Sequence, residues 1–173
     1  NWNGTDTFTW KANDGELDSN VSTVTITVAA VNDAPTTEDV STTIDENRTA
    51  SRSTGITLQG SDVDGDNLTY TVVSGPSNGN ASIAGSILTY TANQDWNGTE
   101  TITYKANDGT VDSNTSTVTI TINSINDAPV TQNVSFTTDE DTPYTESYTG
   151  YVSDVEGDNL TITAVTNPTN GTA

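Results

Sequence analysis

The ten residues STVTITINSI, at positions 116–125, decide the fold class of this chain. They place Val118, Ile120 and Ile122 at every second position, with threonines between them. Alternate residues of an extended chain point to opposite faces, so this spacing predicts a β-strand with one buried face. Branching at Cβ favours the same interpretation. The stretch therefore predicts a strand in a sheet that covers an apolar core.

The same alternation recurs in short segments along the chain. Further strands are predicted over residues 68–73, 87–92 and 101–106, with shorter candidates at 43–44 and 56–58. Clusters of turn residues separate them at 75–80, 84–86 and 107–109. No segment has helical periodicity. This pattern predicts an all-β chain built from two-sheet sandwiches, with Trp96 and Tyr104 in the core.

A long segment of the sequence occurs twice. Residues 1–35, NWNGTDTFTWKANDGELDSNVSTVTITVAAVNDAP, reappear at 95–129 as DWNGTETITYKANDGTVDSNTSTVTITINSINDAP, a shift of 94 positions. The stretch SDVDGDNLTY at 61–70 returns at 153–162 as SDVEGDNLTI. The length of one repeat, given by the shift of 94 positions, matches the size of one small β-sandwich domain. We expect residues 1–32 to be the C-terminal part of a preceding repeat, 33–126 a complete repeat, and 127–173 the N-terminal part of a following repeat.

Residues 1–32 alone are too few to bury a core, so we expect another segment to complete them. One interpretation is that the chain is a piece of a long array of repeats. An alternative is a head-to-tail polymer, in which residues 1–32 of a neighbouring chain complete the sandwich begun by 127–173. The positions equivalent to 82–94, where two strands are expected, have no counterpart in that composite, which weakens the alternative.

The charge balance excludes several classes of partner. The chain has 24 acidic and 4 basic side chains, for a formal net charge of -20. Nucleic acids and anionic membrane surfaces would be repelled, whereas cations would be attracted. The sequence lacks cysteine and histidine, which excludes disulfides, thiolate metal sites and the usual zinc ligand. No apolar run approaches the about 20 residues of a membrane helix.

Three aspartates, Asp62, Asp64 and Asp66, stand just before the strand predicted at 68–73. Alternate residues point the same way, so two of these carboxylates can converge on one point at the end of a sandwich. A hard divalent cation with oxygen ligands would relieve their repulsion. The stretch is not an EF-hand loop, because Gly65 falls one position early and position twelve is Val73.

Four acidic motifs recur in a fixed order along each repeat. These are VNDAP or INDAP (31–35, 125–129), IDEN or TDED (44–47, 138–141), DVDGDN or DVEGDN (62–67, 154–159) and KANDG (11–15, 105–109). This order resembles the cadherin repeat, and more narrowly the bacterial cadherin-like tandem repeats of large surface adhesins. The resemblance implies tandem Ig-like or cadherin-like Greek-key β-sandwiches.

The resemblance also implies calcium held between successive domains. Six residues would supply the first junction: Asn32, Asp33, Asp62, Asp64, the Asn67 carbonyl and Asp108. Five would supply the second: Glu46, Asn126, Asp127, Asp154 and Glu156. Asp66 and Asp158 are further candidates. Where the family linker carries additional acidic or amide residues, this chain has alanine or serine, which suggests fewer or weaker ions. The alternative is that all of these carboxylates are solvated surface charge.

The expected function is an extracellular, calcium-stiffened segment of a cell-surface adhesin or stalk. Its expected partners are the adjacent repeats of the same protein and a cell-surface or glycan ligand of unknown identity. Two alternatives stay open: a building block of an extracellular filament of like chains, and a carbohydrate-binding module that uses Trp2 or Trp96. An enzyme is not expected, because the carboxylates gather at junctions rather than in a pocket.

Possible glycosylation is indicated by ten N-x-[ST] sequons. They begin at Asn3, Asn20, Asn47, Asn67, Asn80, Asn97, Asn114, Asn133, Asn159 and Asn170.

Overall fold

The computed structural model describes residues 2–46, 53–164, 166 and 169. Strands dominate these ranges. They are β1 (Gly4–Trp10), β2 (Ser22–Val28), β3 (Thr36–Thr37), β4 (Val40–Asp45), β5 (Ser53–Thr57), β6 (Gly60–Ser61), β7 (Thr69–Ser74), β8 (Gly79–Ala84), β9 (Ile87–Ala92), β10 (Gly98–Asn107), β11 (Ser116–Asn123), β12 (Val130–Thr131) and β13 (Val152–Ser153). A single 3-10 turn occupies Tyr148–Tyr151. Across the described ranges, no helix has the length and apolar character needed to span a bilayer.

A two-sheet sandwich occupies the middle of the chain. One sheet has the order β4-β11-β10-β7, and the other has the order β5-β9-β8. Strand β10 pairs antiparallel with both β11 and β7, whereas β4 pairs in parallel with β11. The chain leaves the first sheet after β7, forms β8 and β9 in the second, and returns at β10, as in a Greek-key sandwich. The predicted all-β sandwich fold is confirmed.

The core lies between the two sheets. Val118 and Ile120 of β11 are 0% exposed and Ile122 is 3% exposed, while the threonines between them face outward. Leu88 and Tyr90 of β9 meet them from the other sheet. Burial of each large aliphatic side chain contributes about 1.5–3 kcal/mol. The alternation that predicted this strand therefore identifies the residues that stabilise the sandwich.

Two aromatic residues behave as the sequence predicts. Tyr104 is fully buried, and its hydroxyl donates to the carbonyl oxygen of Glu38 at 2.6 Å. Trp96 is half-buried and packs against the core. Its ring lies 3.2 Å from the position that a Cβ on Gly98 would take, and this glycine has a φ of +135°. Trp96 is thus part of the packing rather than an exposed platform for a sugar.

The strand boundaries differ from the prediction at one notable place. Residues 75–80 form a predicted turn cluster, yet β8 begins within it at Gly79. Tertiary contacts hold the chain here: the Glu100 carboxylate accepts hydrogen bonds from the amides of Ser77 and Asn78 at 3.0 and 2.7 Å, and the Tyr90 hydroxyl donates to the Asn78 carbonyl at 2.8 Å. These partners lie more than ten positions away, so local turn propensity could not reveal them.

The N-terminal strands β1 and β2 form an isolated hairpin. They pair in the register of β10 and β11, shifted by 94 positions, so that Gly4 faces Val28 as Gly98 faces Ile122. Each hairpin has the same lysine–aspartate ion pair near its loop, Lys11–Asp18 in the first and Lys105–Asp112 in the second. The core-facing residues of the N-terminal hairpin are nevertheless exposed: Phe8 by 54%, Trp10 by 53% and Ile26 by 47%. As expected, this segment does not bury a core by itself.

The C-terminal segment reproduces only the start of the sandwich. Strands β12 and β13 pair in the register of β3 and β6. In the segment between these two strands, the ring of Phe136 contacts three tyrosines, with centroid distances of 5.3 Å to Tyr144, 6.1 Å to Tyr148 and 6.2 Å to Tyr151. Phe136 is still 39% exposed. This small aromatic cluster leaves much of its apolar surface in contact with solvent.

Candidate metal sites

The linker before β3 meets two acidic segments at what we call the first junction: Asn32, Asp33, the loop 62–66 and Asp108. The side-chain amide of Asn32 donates to Oδ2 of Asp108 at 2.8 Å. The backbone amide of Asp33 donates to Oδ2 of Asp64, also at 2.8 Å. Residues far apart in sequence are therefore gathered at one end of the sandwich by direct hydrogen bonds.

Asp62 organises the acidic loop of the first junction. Its Oδ1 accepts hydrogen bonds from the amides of Asp64, Gly65 and Asp66 at 2.8, 3.0 and 3.3 Å. This closes a tight turn in which Gly65 has a φ of +84°. One carboxylate oxygen from each of Asp62, Asp64 and Asp66 lies within 4.8 Å of the other two. The turn thus forces three like charges together.

Asp108 joins this group from the loop between β10 and β11. The hydrogen bond from Asn32 and the amides of Val111 and Thr110 hold the pKa of Asp108 well below its usual range. Its equivalent in the N-terminal hairpin, Asp14, accepts similar bonds from Leu17 and Glu16, which lower its pKa too. Only Asp108 has the additional bond to a linker residue. This carboxylate is therefore ionised throughout the physiological pH range.

The second junction consists of Glu46, Asn126, Asp127 and the loop 154–158, and it repeats this geometry. The backbone amide of Asp127 donates to Oε2 of Glu156 at 3.2 Å, as that of Asp33 does to Asp64. Oδ1 of Asp154 accepts from the amides of Glu156 and Asp158, both at 3.1 Å. The side-chain amide of Asn126 donates to the Asp127 carbonyl at 2.9 Å. The second loop is therefore closed in the same way as the first.

Glu46 reaches the second junction from the end of β4. It is 5% exposed, and its Oε1 accepts from the amide of Ile125 at 2.9 Å. Its backbone amide donates to the Asn123 carbonyl at 2.9 Å. A glutamate from the first long strand of the central sandwich is thus fixed beside the linker that leaves it.

The donor set fits a calcium ion. Within the described residues, three buried side-chain polar atoms have no hydrogen-bond partner: Oδ2 of Asp62, Oε2 of Glu46 and Oε1 of Glu156. All three are carboxylate oxygens of predicted ligands. A buried polar atom without a partner is costly and calls for an explanation. Carboxylate and amide oxygens are the ligands that calcium prefers.

Three candidate ligands are less closely tied to the junctions. Asn67 and Asp158 are exposed, and Asp66 is exposed at the edge of its loop. Asp66 and Asp158 contribute backbone amides to the turns that close on Asp62 and Asp154. The hydrogen bonds described above thus bring together the side chains of Asn32, Asp64 and Asp108 and the backbone of Asp33, but not Asn67.

One feature of the first junction is missing from the sequence prediction. Trp2 and Val63 line a cleft of about 710 Å³ together with Asp33, Asp64 and Asp66. Trp2 is 60% exposed. The sequence gives Trp2 as the counterpart of Trp96 and as a candidate for contact with a sugar, and it carries no signal that places Trp2 beside residues more than thirty positions away.

The structure describes eight of the ten sequon asparagines, and all eight are exposed. Asn47 and Asn170 lie outside the described residues. Asn114 differs from the others because its side-chain amide donates to the Thr37 carbonyl at 2.9 Å and to the Ser116 hydroxyl at 3.0 Å. Glycosylation of Asn114 replaces one of the two hydrogens of this amide, so it would remove at least one of the two hydrogen bonds.

Comparison with known families gives two matches. The model of the bacterial cadherin-like domain matches residues 32–124, which is more than half of the chain. The model of the bacterial Ig domain matches residues 126–173. No curated protein matches the chain.

Solved structures support the fold. The extracellular cadherin domains 1–4 of protocadherin gamma B7 are similar at a TM-score of 0.54 and 18% identity, over 87% of this chain and 41% of that one. The endo-fucoidan hydrolase MfFcnA4, from glycoside hydrolase family 107, gives a TM-score of 0.43 and 23% identity, over 71% of this chain and 19% of that one. The likeness to the hydrolase is too weak to bear on activity. This chain spans about a fifth of the hydrolase and less than half of the protocadherin fragment.

The matched range contains the whole central sandwich and both strands of its C-terminal hairpin. The sandwich is also of the kind found in cadherin domains. This chain belongs to the bacterial cadherin-like domain family.

Proposed function

We propose that this chain is a calcium-stiffened segment of an extracellular tandem-repeat protein, and that it extends an adhesin or stalk away from a cell surface. Domains of the two matched families are typically extracellular and non-enzymatic. The observation that carries the proposal is the location of the three buried carboxylate oxygens without hydrogen-bond partners. All three belong to the two junctions, where one repeat would meet the next.

Electrostatics supports a divalent ion at these places. The first junction brings one carboxylate oxygen from each of Asp62, Asp64 and Asp66 within 4.8 Å of the other two. Hydrogen bonds also join Asp108 to Asn32 and the backbone of Asp33 to Asp64. Like charges at such separations raise the free energy of the folded state unless a cation offsets them. Calcium supplies two positive charges and accepts six to eight oxygen ligands.

The residues at each junction have distinct roles in this proposal. Asn32 and Asp33 belong to the linker, whereas Asp62, Asp64 and Asp108 belong to the sandwich that follows it. Ligands shared between a linker and a domain restrict the angle between them. At the second junction, Glu46 adds a ligand from the preceding sandwich. The two junctions would therefore convert flexible connections into a rod.

Calcium should raise the thermal stability of the chain. A ligand that binds only the folded state stabilises it by about 2.7 kcal/mol at a hundredfold excess over its dissociation constant. We expect the melting temperature to rise with millimolar calcium and to return to its starting value with chelator. Asp62→Asn combined with Asp64→Asn should remove most of the rise while the sandwich stays folded.

Asp108→Asn and Asp14→Asn form a matched pair for this experiment. Both residues cap the same loop with the same local hydrogen bonds, but only Asp108 contacts Asn32. Asp108→Asn should weaken calcium binding measured by calorimetry, and Asp14→Asn should leave it near the unsubstituted value. If the melting temperature does not change on addition of calcium and calorimetry detects no heat of binding, the proposal of a calcium site is wrong.

A further inference from the structure

The linker of the first junction enters the central sandwich through the short strand β3. This strand has two residues and pairs antiparallel with the two residues of β6. Pro35, just before it, is fully buried. The linker residues Asn32 and Asp33 come five and four positions before Thr37 of this strand. Their location therefore depends on how firmly so short a strand is held against the sandwich.

The side chain of Asn114, just before β11, holds β3 from its other side. Its Oδ1 accepts from the Thr37 amide at 2.9 Å, and its Nδ2 donates to the Thr37 carbonyl at 2.9 Å. The Thr37 hydroxyl donates to the Asn114 carbonyl at 2.9 Å and lies 2.8 Å from the Ser116 hydroxyl. Thr37 is 6% exposed and Ser116 is 4% exposed. Loss of partners at a site so well shielded from water is costly.

Thr37 is the place where the three acidic or amide-bearing segments of the first junction meet. On one side it pairs with Gly60, and the chain continues from there into Asp62. On the other side it contacts Asn114, which follows Asp108 in the connection between β10 and β11. A side chain that holds Thr37 therefore aligns the linker with both other segments. The hydrogen bonds of the linker to those segments depend on this alignment.

The local structure around Asn114 does not require this contact. The sequence DSN occurs at 18–20 and again at 112–114. In both hairpins the serine hydroxyl accepts from the amide of the alanine seven positions earlier at 2.9 Å and donates to the carbonyl of the asparagine that follows it. The side chain of Asn20, however, makes a bond of 3.5 Å within its own hairpin. The paired bonds of Asn114 to the linker strand are therefore a tertiary contact rather than part of the loop.

We infer that Asn114 is a positioning residue for the calcium site of the first junction. It docks the linker strand on the sandwich, so that the linker, the loop 62–66 and Asp108 are assembled before an ion binds. This inference rests on the proposed function. A ligand binds with an apparent affinity reduced by the fraction of protein in the competent state, so a linker docked about a tenth of the time would raise the dissociation constant about tenfold.

Amide hydrogen exchange in chelator tests the docking role without calcium. Asn114→Ala should speed exchange of the Asp33 amide several-fold, although this amide donates to Asp64 and not to Asn114. The amides of β11 should keep their protection, because the sandwich stays folded. The matched substitution Asn20→Ala should leave Asp33 unchanged. Unchanged exchange of Asp33 in Asn114→Ala, or an equal loss of protection throughout β11, overturns the inference.

The unsubstituted chain supplies a second measurement that does not depend on how the variant folds. Coupling between two sites is reciprocal, so calcium should slow exchange of the Thr37 amide, which donates to Asn114. The Ser19 amide, which donates to Ala12 within the N-terminal hairpin, should exchange at the same rate with and without calcium. If calcium binds and exchange of Thr37 does not slow, the inference is wrong.

Calorimetry separates failure of this inference from failure of the calcium site. The titrations use a background of Asp154→Asn and Glu156→Gln, which disables the second junction. In that background, Asn114→Ala should raise the calcium dissociation constant about tenfold, whereas Asn20→Ala should not change it. Equal affinities with and without Asn114→Ala overturn the inference and leave the calcium site intact. Absence of binding even in the unsubstituted chain rejects the calcium site, and the inference with it.

Discussion

Glu100 illustrates how one buried carboxylate can organise a turn. It is 5% exposed, and its oxygens accept hydrogen bonds from the backbone amides of Ser77 and Asn78. Burial alone would raise the pKa of Glu100, but the amides of Ser77, Asn78 and Thr101 together lower it below its ordinary value of 4.5. Burial and the nearby charge of Glu100 raise the pKa of Tyr90 to about 12. The ionised carboxylate thus stabilises the entry into β8.

Glu100→Gln should destabilise the chain by about 1–3 kcal/mol at neutral pH, as expected for lost hydrogen bonds to a charged group. Because the folded-state pKa is lowered, this contribution is present above the unfolded-state pKa and disappears as the pH falls through the folded-state value. The difference in unfolding free energy between the two proteins should therefore shrink from pH 6 to pH 3. Urea denaturation of dilute samples measures it.

The exposed Glu16 supplies a control for this experiment. Glu16→Gln should change the free energy of unfolding little at either pH. An equal loss of stability by Glu100→Gln at pH 6 and pH 3 would contradict the proposed role of the ionised group.

At this scale, the sequence identifies residues better than it identifies their partners. The spacing of Asp62, Asp64 and Asp66 is visible as a pattern, and the resemblance to cadherin repeats adds Glu46 and Asp108. The hydrogen bond between Asn32 and Asp108 joins residues 76 positions apart. The pairing of β-strands creates such contacts, and no local feature of the sequence encodes them.

A comparison of the two homologous hairpins, β1–β2 and β10–β11, shows which of their properties depend on local sequence and which depend on burial by other strands. Strands β1 and β2 keep the register of β10 and β11 although their apolar face is not covered. Alternation of apolar and polar residues therefore predicts both hairpins equally well. It does not predict which of them will be buried, because burial depends on strands that come from elsewhere in the chain.

A pair of substitutions measures this difference. Ile120→Ala removes a fully buried side chain and should cost about 2–5 kcal/mol. Ile26→Ala changes the equivalent, half-exposed side chain and should cost much less in dilute solution, within about 0.5–1 kcal/mol. Thermal and urea unfolding of both variants gives the comparison. Similar losses for both would mean that the N-terminal hairpin is already covered in the monomer.

The whole molecule combines a rigid centre with two junctions rich in negative charge. The net charge of -20 opposes compaction at the junctions. If calcium binds where we propose, the angles between adjacent segments should become narrowly distributed. The order of the acidic motifs in the sequence predicts which residues belong to each junction. The distances between those residues could not be predicted, because they depend on how the linker folds against the sandwich.

Small-angle X-ray scattering should detect this stiffening. With millimolar calcium, profiles extrapolated to zero concentration should show a longer maximum dimension and less flexibility than with chelator. Asp62→Asn combined with Asp64→Asn should lose the calcium-dependent stiffening of the first junction and keep only that of the second, so its change in maximum dimension should be smaller. Identical profiles for the unsubstituted chain in calcium and chelator would contradict a stiffening role.

The parallel pairing of β4 with β11 has a mechanical consequence. These are the first long strand and the last strand of the central sandwich, and they lie side by side over residues Val40–Asp45 and Val118–Asn123. Tension applied through the two linkers pulls them in opposite directions along their length. The ladder is then loaded in shear, so its hydrogen bonds must break together instead of peeling open one after another. With this pairing, the force needed to unfold the sandwich by pulling at its two ends should be higher than the size of its core alone would indicate.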